Sequence, residues 1–276
     1  MIEGNFVALC LGNFSRWSPC CALPMPFTFS HPALIVPLLC ARRRPQWLSA
    51  TGLIAGSVAP DFEKFIRLKL ASAHSHTLGS IFYFSCPVAL GLAFVFHLLV
   101  RQPLVAHLPV WLYQRLGKYA HFNWLGYFRQ YYGGVVLSSS IGAALHLFWD
   151  SFTHPNTLTA ELLPALNGIL WLGERSVPIF HVVSLISSIA GGLLIVWAVW
   201  RMPIYPLKPV LTTAALYRYW GLAVLVAVVL EVEWVIVMRP RILNIGISAI
   251  SAALLGVLVA SLYTQHRNRS LGHKQL

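Results

Sequence analysis

Five long apolar runs dominate the sequence and limit the class of fold that the chain can adopt. Each run has about 20 residues, and a helix of that length crosses the hydrocarbon core of a bilayer, which is about 30 Å thick. The runs cover residues 78–100, 133–152, 180–200, 219–238 and 243–263. The sequence therefore predicts an all-α integral membrane protein with about five transmembrane helices.

The charged residues support this membrane interpretation. Only 10% of the residues are charged and 57% are hydrophobic, whereas a soluble domain has about 25% charged residues. The net charge of +12 comes from Lys and Arg near the ends of the apolar runs, which is typical of membrane topology and of contact with lipid headgroups. We therefore expect membrane lipids as partners and no binding of nucleic acid. The basic residues divide almost evenly between the two sides of the membrane, so they do not determine the orientation of the chain. The sequence also leaves the oligomeric state open.

The N-terminal part divides into an extension and a short helical pair. Residues 1–24 contain an apolar run too short for a secretory signal. We interpret them as an upstream start or a loosely packed extension, followed by one membrane-embedded helical domain over residues 25–276. The apolar stretches 33–41 and 47–59 are about half a bilayer long at about 1.5 Å per residue, which predicts short or re-entrant helices. The charged segment 61–73 is expected to lie at a membrane surface.

A polar stripe ends the second apolar run. His146, Asp150 and His154 recur every four residues, and on a helix such positions are rotated by only about 40° from one to the next. An ionised Asp inside a bilayer costs about 2.5–3.5 kcal/mol on insertion scales, so such a residue usually has a function or a buried partner. His146 and Asp150 can bind the same metal ion. His154 lies roughly 12 Å from His146 along a straight helix, too far to share that ion.

Further residues of metal-binding types precede the first long run. That run begins near residue 78 and the second ends near residue 154, so both ends lie at the same membrane face in a five-span topology. The expected ligands at this face are His31, Asp61, His76, His146 and Asp150, with His74 as the alternative to His76. This set of nitrogen and oxygen atoms without sulfur suits Zn²⁺ first, with Mn²⁺ and Fe²⁺ as alternatives.

These residues also have structural interpretations. His31 can cap a helix, and Asp61 can cap the helix that follows it. His146 and Asp150 can form a buried hydrogen-bonded pair. The residues alone leave these alternatives open.

Four short motifs carry a resemblance to a known family. They are MPFTFSHP at 25–32, GSVAPDF at 56–62, SHTLG at 75–79 and HLFWDSFTHP at 146–155. In this order they resemble an uncharacterised bacterial membrane family, domain of unknown function 4184, over residues 25–200. The resemblance implies that residues 1–24 lie outside the family domain and that His76 is the site residue rather than His74. It also implies a location in the bacterial cytoplasmic membrane.

A second, more distant resemblance concerns the pattern of the polar residues. A Pro-Asp pair, a His before a span and a His-x-x-x-Asp motif are together similar to the YdjM-like membrane-bound metal-dependent hydrolases. Both resemblances are weakest over the last two apolar runs.

These observations favour a membrane-embedded, metal-dependent hydrolase that acts at the lipid–water interface. A divalent metal lowers the pKa of a water ligand to about 7, and that water would attack a phosphoester or acyl bond of a lipid-like or amphiphilic substrate. His154 or Glu63 would then move the proton; Glu63 is otherwise a solvated surface charge. The alternative is a non-enzymatic scaffold or transport-related protein, in which the His and Asp residues form a buried polar network or an ion path.

Deletion of residues 1–24 is expected to leave expression and the thermal unfolding temperature unchanged, because the apolar runs and the polar motifs all lie after this segment. The measurement is a thermal unfolding curve of the full chain and of the truncated chain in the same mild detergent. A large loss of folded protein on truncation would contradict the interpretation of this segment as an extension.

Overall fold

The computed structural model describes residues 27–41, 45–70, 74–155, 157–207 and 211–272. The predicted extension at residues 1–24 lies outside this part of the chain. Within the described residues, five helices are long and apolar enough to cross a membrane. The chain is therefore a helical integral membrane protein, as the sequence predicts.

The elements follow one another along the chain in this order. Three short helices come first, α1 (Thr28–Cys40), α2 (Ala50–Val58) and α3 (Phe62–Arg67), with a 3₁₀ turn at Ala59–Asp61 between the last two. The first span, α4 (Ile81–Ala106), leads through α5 (Val110–Leu116) and a 3₁₀ turn at Gly117–Tyr119 to the second span, α6 (Trp124–Thr153). After α7 (Leu158–Leu162) and the turn Pro164–Asn167, strands β1 (Ile169–Leu172) and β2 (Arg175–Pro178) form an antiparallel hairpin. The remaining spans are α8 (Ile179–Trp200), α9 (Thr213–Met238) and α10 (Ile242–Gly272).

Helices α1 and α2 confirm the predicted short N-terminal pair. With 9 residues, α2 is about 14 Å long, far less than a bilayer core. Its N-terminus is held by Ser49, whose Oγ accepts a hydrogen bond from the Gly52 N–H at 3.1 Å. The Ser49 N–H in turn donates to Ser138 Oγ on α6 at 2.9 Å. These bonds satisfy backbone groups that a helix end leaves without partners.

Small residues let α2 approach α6 backbone to backbone. A Cβ added at Gly56 would fall on the Ser139 carbonyl group, and a Cβ added at Gly142 would fall on the Leu53 carbonyl oxygen. Such contacts between small residues are typical of helix pairs in membranes, where close packing replaces the hydrophobic effect. The pairing fixes the C-terminus of α2 against the last turns of α6, where the polar motifs lie.

The second span and the hairpin differ from the sequence prediction. Helix α6 begins at Trp124 rather than near residue 133, because the Asn123 side chain caps it by accepting from the Gly126 N–H at 2.9 Å. Tyr131 leaves the helical conformation, with φ −126° and ψ 30°, so the aromatic first part of α6 joins the apolar part at a kink. The sequence does not predict the hairpin, whose turn contains Gly173 at φ +63°, a conformation that glycine adopts without steric cost.

The charged segment after α2 was expected at a membrane surface, but its first charged side chains lie inside the protein. Asp61, Glu63 and Lys64 are all buried. Their burial is compensated by contacts with one another and with neighbouring polar groups, since an unpaired buried charge would be costly.

Gly56→Val is expected to lower the free energy of unfolding by about 1–3 kcal/mol, because the added methyl groups must push α2 away from α6. The measurement is thermal unfolding in mild detergent. The matched control is Gly192→Val on α8, where an added Cβ meets nothing within 4 Å. Equal unfolding temperatures for the two variants would contradict the close packing of α2 on α6.

Candidate metal centre

Four side chains from three separate parts of the chain meet at one end of the spans. Asp61 lies in the turn after α2, His76 lies in the loop before α4, and His146 and Asp150 lie in the last turns of α6. One potential ligand atom from each of the four residues lies within 4.8 Å of the others. The sequence predicted that these residues converge on one face, and the structure brings all four together.

The spacing of these atoms matches that of ligands around a metal ion. Asp150 Oδ2 is 3.3 Å from both His76 Nε2 and His146 Nε2. Asp61 Oδ1 is 3.4 Å from His76 Nε2 and 3.8 Å from His146 Nε2. Four atoms bound tetrahedrally to one ion at about 2.0–2.2 Å stand about 3.3–3.6 Å apart. These four carboxylate–imidazole separations are therefore close to those that a single four-coordinate ion needs.

Hydrogen bonds orient the two imidazole rings. His146 Nδ1 lies 2.7 Å from the Ser57 carbonyl oxygen, and because a carbonyl only accepts, Nδ1 donates and Nε2 of the neutral ring presents a lone pair. His76 Nδ1 lies 2.8 Å from Ser75 Oγ, which leaves its Nε2 facing the carboxylates. A partner on the remote ring nitrogen is the usual means of orienting a histidine that binds metal.

Three buried atoms of the cluster have no hydrogen bond within the described part of the chain. They are His76 Nε2, His146 Nε2 and Asp150 Oδ2. The carboxylate oxygen is close to both nitrogens, but the angles are not those of hydrogen bonds. A buried polar atom without a partner costs about 1–3 kcal/mol, and a cation placed between three such atoms would satisfy all of them. The simple hydrogen-bonded pair of His146 and Asp150 is therefore not the arrangement that the structure shows.

Helix α1 contacts the outer side of both carboxylates. His31 Nε2 lies 3.0 Å from Asp150 Oδ1, and the His31 ring stacks on His146 with 3.8 Å between ring centroids. Thr28 Oγ1 donates to Asp61 Oδ2 at 2.5 Å. Each carboxylate thus has one oxygen held by α1 and the other facing the cluster. His31, predicted as a ligand, lies beside the four ligand-bearing residues and contacts two of them, Asp150 and His146.

Sequence reasoning missed Lys64. Its ammonium group pairs with Asp61 Oδ1 and is buried. Lys64 follows Asp61 by three residues, a spacing that places both on one helical face, and this was the signal available in the sequence. For Asp61 itself, the sequence left two interpretations, a helix cap and a metal ligand. It makes no capping hydrogen bond to α3, and its carboxylate points into the cluster instead.

Opposing effects set the charges of Asp61 and His76. Burial would raise the pKa of the Asp61 carboxyl, but His146 and Lys64 beside it hold that pKa well below its usual range. Burial would lower the pKa of His76, but the nearby carboxylates of Asp150 and Asp61 raise it above its usual value. Asp61 therefore stays ionised at neutral pH and attracts positive charge to the cluster.

Two predicted residues have other positions. His74 is exposed and lies outside the group of four, so His76 is the histidine of this loop that joins the cluster. Glu63 is buried, which corrects its interpretation as a solvated surface charge. Its Oε2 accepts from the N–H groups of His74 at 3.0 Å and Ser75 at 2.8 Å, and its Oε1 accepts from Arg67 at 2.6 Å. Glu63 thus holds the loop that carries His76, and its role in proton transfer stays a prediction.

His154 lies beside the cluster on its more open side. Its Nδ1 is 3.0 Å from the Asp150 backbone carbonyl oxygen and 3.8 Å from Asp150 Oδ1. The side chains of His154 and His76 are 23% and 22% exposed, whereas those of the other three residues of the cluster are at most 8% exposed. The cluster is therefore most accessible past these two imidazoles.

Comparison with known proteins finds one family. Residues 25–262 match the family described as "Domain of unknown function (DUF4184)". The match includes the whole cluster and most of α10, and so extends beyond the residues that carry the resemblance in the sequence. No curated protein and no solved structure matches the chain.

The protein purified in mild detergent is expected to contain about one divalent metal ion per chain, because the four ligand atoms lie close enough together to bind one ion. Asp150→Asn and His146→Ala are each expected to lose most of this metal, since each removes a ligand. The measurement is elemental analysis of the metal against protein concentration.

His121→Ala is the matched control for these variants. His121 is an exposed histidine between α5 and α6, at the opposite end of the spans, so its removal leaves the cluster intact. A wild-type protein without stoichiometric metal would contradict the assignment of a metal centre. Equal metal loss from the control would show instead that the metal is bound nonspecifically to surface histidines.

Proposed function

The chain belongs to the DUF4184 family, whose description names no activity, and we propose that it is a membrane-embedded, metal-dependent hydrolase acting at the lipid–water interface. The observation that carries this proposal is the group of Asp61, His76, His146 and Asp150, whose ligand atoms lie within 4.8 Å of one another. Three of these atoms are buried and have no hydrogen bond among the described residues.

Zn²⁺ is the proposed metal, with Mn²⁺ and Fe²⁺ as the alternatives. Two imidazole nitrogens and two carboxylate oxygens within 4.8 Å of one another suit Zn²⁺, and a ligand set without sulfur leaves the other two ions as candidates. A metal ion held here supplies Lewis-acid chemistry and makes a water molecule acidic enough to act as a nucleophile near neutral pH. Contacts from α1 to the outer carboxylate oxygens keep these ligands oriented.

The four ligands are not equivalent, and this difference supports a catalytic site over a purely structural one. The three atoms without hydrogen bonds belong to His76, His146 and Asp150. Asp61 Oδ1 is already paired with Lys64 and stands furthest from His146 Nε2, at 3.8 Å. Asp61 is therefore the ligand most easily displaced, and catalytic zinc sites keep such a fourth position for water or substrate.

His154 is the proposed proton carrier. The pKa of Asp61 is held well below its usual range, which makes this carboxylate a poor proton acceptor. His154 Nδ1 faces the Asp150 carbonyl oxygen at 3.0 Å, so Nε2 is the nitrogen left to take up a proton. The partly exposed side chain can then return the proton to water.

Lys64 supplies a fixed positive charge at the same place. Its buried ammonium group contacts Asp61 Oδ1 at the edge of the cluster. A positive group already oriented at a reaction centre stabilises negative charge that develops on an attacked phosphoryl or acyl oxygen. A phosphoester or an acyl ester is thus the class of bond that we propose.

Apolar side chains around the cluster support a lipid-like or amphiphilic substrate. Leu78, two residues after His76, is 79% exposed, and Phe82 at the start of α4 is also exposed. A molecule with a polar head and an apolar tail would contact both kinds of surface at once. The surrounding membrane lipids are therefore the proposed partners and the proposed source of substrate.

The distant similarity of the polar pattern to YdjM-like membrane-bound metal-dependent hydrolases supports the same reaction class. That pattern here is Pro60-Asp61, His76 and His146-x-x-x-Asp150. On this basis the bacterial cytoplasmic (inner) membrane is the proposed location.

The protein loaded with Zn²⁺ is expected to hydrolyse a short-chain phosphatidic acid or p-nitrophenyl butyrate, one probe for each bond class. His154→Gln is expected to lower kcat by about 10²–10⁴-fold, the usual contribution of a proton-transfer group, with bound metal unchanged. The measurement is the release of phosphate or p-nitrophenol, set against the metal content of the same preparation.

His121→Gln is the control for this variant, and it should keep both metal and activity. Asp150→Asn should lose both. A wild-type protein that binds metal but hydrolyses neither probe would overturn the hydrolase proposal. It would favour the alternative of a non-enzymatic scaffold or transport-related protein with a buried polar network.

A further inference from the structure

A cavity lies at the opposite end of the spans from the metal centre. Its volume is about 620 Å³, and it is lined by residues from the end of α4, the start of α9 and the end of α10. Helix α4 has 26 residues and is therefore about 39 Å long. Because His76 precedes α4 and the cavity lies at its far end, the two sites face opposite membrane surfaces.

Arginines give this cavity a strong positive charge. Among the described residues, Arg218, Arg267 and Arg269 line it. Arg218 and Arg269 are exposed and Arg267 is partly exposed. Within the described part of the chain, none of the three forms an ion pair with a carboxylate. Their positive charges are therefore not compensated by acidic side chains of the described residues.

One wall of the cavity is held by a hydrogen bond to a carbonyl group that a proline leaves without its helical partner. Pro103 has no N–H, so the Leu99 carbonyl cannot receive the usual helical hydrogen bond from it. Gln265 on α10 donates its side-chain amide to this carbonyl at 2.8 Å. The bond fastens the last turns of α10, which carry Arg267 and Arg269, to α4.

The other wall is fixed by aromatic contacts. Tyr219 on α9 is buried, its hydroxyl lies 2.9 Å from Ser261 Oγ, and its ring stacks on His107 with 4.3 Å between centroids. Trp220 Nε1 donates to the His107 carbonyl oxygen at 2.8 Å. These contacts hold the start of α9, which carries Arg218, against the ends of the other two helices. The cavity is thus built from rigid elements before any ligand arrives.

We propose that this cavity binds a phosphate-bearing anion, supplied either by the headgroup of an anionic lipid or by free phosphate. Guanidinium groups present planar pairs of N–H donors that match phosphate oxygens. The N-terminus of α9, whose capping residue Thr212 also lines the cavity, adds the positive end of a helix dipole. A volume of about 620 Å³ lies in the usual range for small-ligand sites, about 300–1,000 Å³.

The test uses the full chain in mild detergent and counts bound lipid by native mass spectrometry. Phosphatidylglycerol is the anionic probe and phosphatidylcholine the zwitterionic one. Phosphatidylglycerol is expected to bind more tightly. The double variant R218Q/R267Q is expected to weaken its apparent affinity about 30-fold, because each guanidinium removed takes away a hydrogen bond to the phosphate that contributes about a factor of five.

R129Q/R201Q is the matched control. It removes two exposed arginines from the same membrane surface, and neither of them lines the cavity. This control should change the affinity for phosphatidylglycerol little. Arg269→Gln alone should weaken binding about fivefold, because it removes one guanidinium of the cavity lining. Unfolding temperatures in lipid-free detergent verify that each variant is folded.

Competition with inorganic phosphate separates the two sources of the anion. If millimolar phosphate displaces phosphatidylglycerol from the wild type, the site exists and its ligand is free phosphate. If phosphatidylglycerol stays bound in the presence of phosphate, the site exists and its ligand is a lipid headgroup. Equal weakening in R218Q/R267Q and R129Q/R201Q would overturn the proposal, as would equal affinity for the two lipids or no binding of either lipid or phosphate.

Discussion

The burial of two carboxylates at one end of a membrane bundle is the constraint on which the rest of this structure depends. Taking an ion out of water costs several kcal/mol unless partners surround it. Asp61 has Lys64 and Thr28 as partners, and Asp150 has His31. These partners come from α1 and α3, which are too short to cross a membrane. The short helices thus have a clear physical purpose, since they compensate charges that the spans alone would leave exposed to an apolar environment.

That compensation works only because backbones approach one another closely. Gly56 and Gly142 allow α2 to rest on α6, and Gly191 on α8 does the same for α1, since a Cβ there would lie 2.9 Å from the Ser30 carbonyl oxygen. The cluster side chains of α6 and of the turn after α2 are therefore positioned by helices whose separation is set by glycines. An increase of a few tenths of an ångström in the distance between these helices would shift the ligand atoms, because a close-packed interior transmits such a displacement.

Much of this arrangement could be predicted from the sequence, because the signals involved are local. The spans follow from apolar runs, and the pairing of His146 with Asp150 follows from helical periodicity. Thr28 was missed because its contact with Asp61 depends on how a separate helix packs against the turn. The contact of Lys64 with Asp61 is local, and its three-residue spacing was a signal left unused. The choice of His76 over His74 came from a resemblance, since two histidines one residue apart in a loop have no periodicity to separate them. Glu63 was misjudged because a carboxylate in a charged segment is usually solvated, whereas here the loop at residues 74–75 folds over it and donates two hydrogen bonds to it.

One consequence follows from the acceptor that orients His146. It is a main-chain carbonyl, that of Ser57, and a main-chain carbonyl is present whatever amino acid occupies the position. The protonation pattern of this imidazole is therefore insulated from drift in the side chain at residue 57. The reach of this carbonyl depends instead on Gly56 and Gly142, which let α2 lie close to α6. The orientation of one histidine is thus controlled by two residues that have no side-chain chemistry of their own.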